Sequence, residues 1–271
     1  MPRPAIRGWV ALLPPAIIAV SSACAARLYE PPTGSGVPFA EAATVWRDLT
    51  ASCRGARRFV AEVRVDGWTG AARQGFSATF HTAMTRDNDL YLEVPGPGRS
   101  YLQMAGRAGQ AVFLLPRDER VLRASTREIV EALTGLRWDA VDLLNVLSGC
   151  VTMAQAEFTG ANYGTRASIG LGGDARAWVQ QRDGHWQVEA AARDGLLIEY
   201  RERAGAFPSK VRVSSTSPNV TPLKLTFSVS QHQVNIDLDA ATFALTIPPD
   251  FAPMTMDDLR SMFPLGDVKG K

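Results

Sequence analysis

From residue 59 onward the chain alternates. Phe59, Ala61, Val63 and Val65 interleave with Val60, Glu62, Arg64 and Asp66, and Phe76, Ala78 and Phe80 with Ser77, Thr79 and His81. Period two with one apolar side predicts half-buried β-strands, with a turn over 67–70. Asp87 and Asn88 mark the next turn, and Leu90, Leu92 and Val94 carry the alternation to Pro95-Gly96-Pro97-Gly98. Residues 101–104, 111–115 and 120–122 predict three more short strands. The period changes at Ser125, which with Glu128 forms a capping box ahead of Ile129 and Leu133; Gly135 ends that helix. Asp139 caps a second helix with Val141, Leu144 and Leu147 along one side, stopped by Gly149. Alternation then returns over 175–181, 185–191, 196–201, 210–215, 223–230 and 233–238, with 243–247 as a last short strand. An amphipathic helix over 39–53 (Phe39, Ala43, Trp46, Leu49) leads the strands, and Gly55 ends it. Thr255 with Asp258 predicts a short final helix carrying Leu259, Met262 and Phe263. The sum is a single α+β domain of antiparallel strands with a central helical pair. Its apolar face either closes on a packed core or curls around helices and leaves a cavity.

The first residues follow a different pattern. Arg3 and Arg7 precede an apolar run over 9–20, then small residues and Cys24. This predicts a secretory signal over 1–23, too short and too proline-broken for a membrane span. Val20-Ser21-Ser22-Ala23-Cys24 resembles the bacterial lipobox, with Ser21 where Leu is usual. The resemblance implies acylation of Cys24; the alternative is plain cleavage near Ala23 or Ala26. Residues 24–38, with Pro31, Pro32, Gly34, Ser35 and Gly36, have the composition of a flexible tether. Such a tether reaches up to about 45 Å from a bilayer. Ala25 stands where an Asp retains enterobacterial lipoproteins in the inner membrane.

About 250 residues follow the signal, ample for one large domain. Removing Arg3 and Arg7 takes the formal charge of +2 to about zero, and no basic cluster remains, which argues against nucleic acid. Cys53 and Cys150 each close a predicted helix. In an oxidising compartment they either pair or stay as two buried thiols, and spacing does not decide.

The stretch 59–149 resembles LolB, the outer-membrane receptor for lipoproteins, and more broadly the LolA/LolB fold. Three pieces carry it: the strand pair over 59–80 behind a helix; Leu90-Tyr91-Leu92-Glu93-Val94-Pro95 with Gly98-Arg99-Ser100-Tyr101-Leu102; and Leu133-Thr134-Gly135-Leu136 followed by Leu143, Leu147 and Gly149. Trp186-Gln187-Val188 and Phe207-Pro208-Ser209-Lys210-Val211 echo later strands. The resemblance implies one antiparallel sheet curled into an incomplete barrel over 39–250, a helical lid, and an apolar cavity for acyl chains. The implied wall is Phe59, Val63, Phe76, Phe80, Leu90, Leu92, Leu102, Ile129, Leu133, Val141, Leu144 and Leu225. The implied partners are acyl chains of lipids or lipoproteins, a membrane reached through the lipid anchor, and a periplasmic carrier protein. The implied place is the periplasmic face of a bacterial outer membrane. Two departures stand out. The family's protruding loop leucine is absent from Pro95-Gly96-Pro97-Gly98-Arg99, and the tail 251–271 has no clear counterpart.

Catalytic and metal chemistry find little support. His81, His185 and His232 lie on separate predicted strands, so no metal is expected. Gly170-Leu171-Gly172-Gly173 and Gly96-Pro97-Gly98 do not join a strand to a helix, as a dinucleotide loop must. No Gly-x-Ser-x-Gly, Ser-x-x-Lys or His-Glu-x-x-His occurs, so no cofactor and no enzyme activity is expected. A lipid or lipoprotein carrier and a structural or sensory lipoprotein that binds another envelope protein both fit.

Overall fold

The computed structural model of the chain describes residues 29–151 and 158–262; the expected signal (1–23), Cys24 and Phe263 lie outside them. The chain opens with β1 (Val37–Pro38), α1 (Ala42–Leu49) and α2 (Ala51–Gly55). A first run of strands follows: β2 (Arg58–Thr69), β3 (Gln74–Thr85), β4 (Leu90–Val94), β5 (Leu102–Arg107), β6 (Gln110–Leu115) and β7 (Arg120–Ser125). Two helices come next, α3 (Thr126–Thr134) and α4 (Ala140–Ser148). The second run is β8 (Thr159–Asn162), β9 (Arg166–Gly170), β10 (Arg176–Arg182), β11 (His185–Arg193), β12 (Leu196–Ala204), β13 (Phe207–Ser215) and β14 (Leu223–Val234). β15 (Ala252–Pro253) and α5 (Met256–Met262) end the described chain.

Each run is a meander in which successive strands pair antiparallel. β14 returns to pair with β2, from Leu223 against Thr69 to Val234 against Phe59, and so fuses the two meanders into one sheet. β1 pairs with β8 at one edge and β15 runs parallel to β7 at the other. These two edges do not pair with each other, so the sheet is unclosed. Both edge strands are two residues long and contain a proline, which lacks the N–H needed to recruit another strand. Val37 and Pro38, within the stretch expected as a tether, are thus paired with Asn162 and Ala161.

The alternation in β2 is realised residue by residue: Phe59, Ala61, Val63 and Val65 are buried and Arg64 is exposed. One buried cluster joins these side chains with Val213 and Leu225 of the second meander and with Ile129 and Leu144 of the helices. Both helices start as their sequences dictate. Ser125 and Glu128 complete one capping box, Asp139 and Asp142 the other. Both end on a left-handed glycine. Gly135 also allows a close approach, since a Cβ there would lie 2.8 Å from Thr69 Oγ1. α4 packs on β3 and β13, and so crosses the junction of the two meanders. Among the described residues no helix is long and apolar enough to cross a membrane.

Several expectations change. The helix over 39–53 is two helices, broken at Thr50, whose hydroxyl donates to the Trp46 carbonyl at 2.7 Å. β2 runs through the expected turn to Thr69, and the reversal occurs at Gly70–Arg73. β8 and β9 were not foreseen: Thr159-Gly160-Ala161-Asn162 has too few apolar residues to show a period. The strands over 223–230 and 233–238 are one strand with a bulge between Ser230 and Gln233. It ends at Val234, and the next residue, Asn235, accepts from the Arg57 amide through its side-chain oxygen at 2.8 Å. The strand over 243–247 is absent; a 3₁₀ turn, Ala240–Phe243, capped by Asp239, buries Phe243 instead. Cys53 and Cys150 form a disulfide, with Cα atoms 5.5 Å apart.

Candidate functional site

A cavity of about 320 Å³ lies between α3 and α4 and the first meander. β3 supplies much of its floor through Phe76, Ala78, Phe80, Thr82 and Met84, the side of the strand predicted to be apolar. Val63 and Val65 of β2, Leu92 and Val94 of β4, Leu102 of β5 and Phe227 of β14 extend it. Val130, Leu133 and Thr134 of α3 and Leu143 and Leu147 of α4 lie opposite. No charged side chain is among the lining residues.

Beside the Tyr101 phenol at the rim, three hydroxyls interrupt the apolar wall. Thr134 donates to the Val130 carbonyl at 2.7 Å, and Ser77 accepts from Arg64 at 3.1 Å. The buried Thr82 hydroxyl has no hydrogen-bond partner among the described residues. The wall can therefore hold apolar matter by contact and burial, and offers little polar pairing to fix its identity.

The expected wall residues divide. Val63, Phe76, Phe80, Leu92, Leu102 and Leu133 line the cavity. Phe59, Leu90, Ile129, Leu144 and Leu225 are fully buried in the surrounding packing and do not line it. Val141 is half-buried and lies outside the lining. On α4 the cavity sees Leu143 and Leu147, an i, i+4 pair, instead of the expected Val141 and Leu144 stripe. Tyr101, expected only as a strand residue, and Met262, expected only on the final helix, also line the cavity and are exposed.

α4 is held over the sheet by charge as well as packing. Arg193 of β11, itself buried, donates to Asp142 at 2.9 Å and sits 5.6 Å from the Trp138 ring centroid. Arg127 donates to Asp139 at 2.8 Å. Burial pushes the Asp139 carboxyl up, but the Asp142 amide, the Arg127 hydrogen bond and charge, and the Val141 amide outweigh it. The carboxyl ends below its ordinary value. Its contribution is therefore complete above the unfolded value of about 3.9 and lost as pH falls through the lower folded value. Asp139→Ala is expected to cost about 1 kcal/mol at pH 6. Urea unfolding at pH 6 and at stepwise lower pH checks this: the difference from the parent protein should be full at pH 6 and shrink as the pH falls below the unfolded value.

The opposite face of the sheet carries a second cavity, of about 360 Å³. Val60, Glu62, His81, Ala83 and Tyr91 form its floor, and Ile236, Leu238 and Thr242 of the returning chain cover it. Nearby, Glu93 accepts from Tyr91 at 2.8 Å, from Gln103 at 3.3 Å and from Ser100. Burial raises the Glu93 carboxyl, yet the Ser100, Tyr91 and Gln103 bonds and the His81 charge bring it below its usual range. His81 lies 3.7 Å from Glu62. His232 stacks on Phe59, and His185 sits at the β10–β11 turn, opposite Arg182. Among the described residues no three His, Cys, Asp or Glu side chains converge as a metal site.

No protein-family model matches the chain, and no curated protein matches it. Among solved structures it is similar to a LolA superfamily protein from Nitrosomonas europaea, at 9% identity over 74% of this chain and 98% of that one, with a TM-score of 0.49. It is also similar to a DUF1329 family protein from Desulfovibrio piger (12% identity, 77% and 98% covered, TM-score 0.43). A third is the lipoprotein LppX from Mycobacterium tuberculosis (8% identity, 73% and 98% covered, TM-score 0.32).

Proposed function

We propose that this chain is a non-catalytic, lipid-anchored envelope protein that holds one acyl chain of a lipid or lipoprotein in its apolar cavity. In this reading the sheet is an incomplete barrel, α3 and α4 are its lid, and Cys24 anchors the domain at the periplasmic face of an outer membrane. The observation that carries it is the uncharged cavity between lid and sheet. Its volume falls at the lower end of the ~300–1,000 Å³ of small-ligand sites, which suits one chain better than several. The buried Cys53–Cys150 disulfide supports an oxidising compartment. Insertion of cargo into a membrane is not part of the proposal, because the β4–β5 loop has no leucine to protrude.

The test uses the full chain with Cys24→Ala, which cannot take an acyl anchor. Mass spectrometry of the purified protein should find bound acyl lipid, and the neutral fluorophore N-phenyl-1-naphthylamine should bind with enhanced emission. Phe80→Asp places a charge in the wall and should weaken dye binding at least about tenfold, since an unpaired buried charge costs several kcal/mol. A lipid-free preparation that also fails to bind the dye sinks the proposal and favours a protein-binding envelope module with a packed interior.

A further inference from the structure

We propose that the bound chain carries an anionic headgroup, and that Arg117, stacked on Tyr101, holds this headgroup at the cavity mouth. The inference rests on the acyl-binding reading above. The antiparallel register puts three turns of the first meander at one end of the sheet: Thr69 pairs with Gln74, Val94 with Leu102, and Leu115 with Arg120. The exposed lining residues are Gly75, Ser77, Tyr101 and Met262. Gly75 and Ser77 begin β3 just after the first turn, and Tyr101 ends the second. The cavity therefore opens at this end.

Each of the three turn segments brings an arginine, Arg73, Arg99 and Arg117. Among the described residues only Arg99 has a carboxylate within 4.0 Å, that of Glu119. The Arg73 guanidinium lies 5.0 Å from the Trp68 ring centroid, and that of Arg117 3.7 Å from Tyr101. Stacking on a ring fixes the plane of a guanidinium while leaving its in-plane N–H donors available. The carboxylates nearest in sequence are Asp118, exposed in the same turn, and Glu119, which faces Arg99. Tyr101 links the two halves of the site, because the same ring lines the cavity and carries the cation. An amphiphile whose tail fills an uncharged cavity has its headgroup at this rim. A carboxylate or a phosphate ester is the complement of a planar cation there.

The test is competition against N-phenyl-1-naphthylamine by four twelve-carbon amphiphiles below their micellar concentrations: laurate, dodecyl phosphate, dodecanol and dodecyltrimethylammonium. The two anions should displace the dye at about three- to fivefold lower concentration than the other two, the gain expected of an exposed ion pair. Added salt should narrow the gap. Arg117→Gln should bring the anions to the level of dodecanol, and Arg117→Lys should recover part of the preference. Arg47→Gln, the same charge change on α1, should keep it. Laurate against dodecyl phosphate separates a fatty-acid carboxylate from a phospholipid phosphate as the natural group. Equal displacement by all four, or an anion preference that survives Arg117→Gln, overturns the inference while leaving acyl binding intact. If no amphiphile displaces the dye, the acyl-binding reading falls and this one with it.

Discussion

Replacing Cys53 and Cys150 together by alanine is expected to lower the unfolding free energy by about 2–5 kcal/mol, towards the upper end of that range. The two residues are 97 apart in sequence. The entropy a cross-link removes from the unfolded chain grows with the loop it closes, to about 4.7 kcal/mol for a loop of ~100 residues. Both cysteines are buried, so the native state also loses packed sulfur. The melting temperature should fall by on the order of 10 °C for a domain of this size. Urea unfolding of the double variant measures the loss, and unfolding of the parent protein under reducing conditions should reproduce it. The bridge ties the middle of α2 to the residue that follows the C-terminal glycine of α4. Dye binding should therefore weaken along with stability, because α4 carries Leu143 and Leu147 of the cavity wall. A double variant within about 1 kcal/mol of the parent would mean that packing alone holds this end of α4.

That bridge also marks where sequence reasoning stops. Periodicity told which side of β3 is apolar, and Phe76, Ala78 and Phe80 do face the cavity. It could not tell how deep each position lies. Phe59 and Leu225 are as apolar as Val63 and Phe227 and follow the same alternation, yet they are packed solid while their neighbours line space. The difference arises from where α3 and α4 sit across the sheet, which is long-range packing. Caps are local, so the Ser125–Glu128 box and the Asp139 cap were legible. The proximity of Cys53 and Cys150 was not, since they are 97 residues apart in sequence and the whole first meander lies between α2 and α4 along the chain. Tyr101 was visible only as a strand residue. Its place at the mouth needs three turns, far apart in sequence, to gather at one end of the sheet.

Arg212→Leu is the other change expected to be severe, costing about 3–5 kcal/mol. Glu199 sits in the run Leu196-Leu197-Ile198-Glu199-Tyr200, every member of which is buried. Ile198 and Tyr200 join the core, and alternation turns Glu199 to the opposite face of the sheet from the cavity. It pairs in register with Arg212 on β13. Arg212 Nη2 donates to Glu199 Oε1 at 2.7 Å, and its Nε to the other carboxylate oxygen, which makes the contact bidentate. Arg201 donates to the same carboxylate. Only 1% of Glu199 and 5% of Arg212 is exposed, so neither charge can turn to water when the other is removed. The cost of the single substitution is thus mainly the stranded carboxylate, for which Arg201, 38% exposed, is a weaker partner. Adding Glu199→Gln to Arg212→Leu removes that charge at nearly constant shape and should recover more than half of the loss in urea unfolding. If the double variant is no more stable than Arg212→Leu alone, charge neutralisation is not the main contribution of Arg212. Its packing across β12 and β13 would then carry the stability instead.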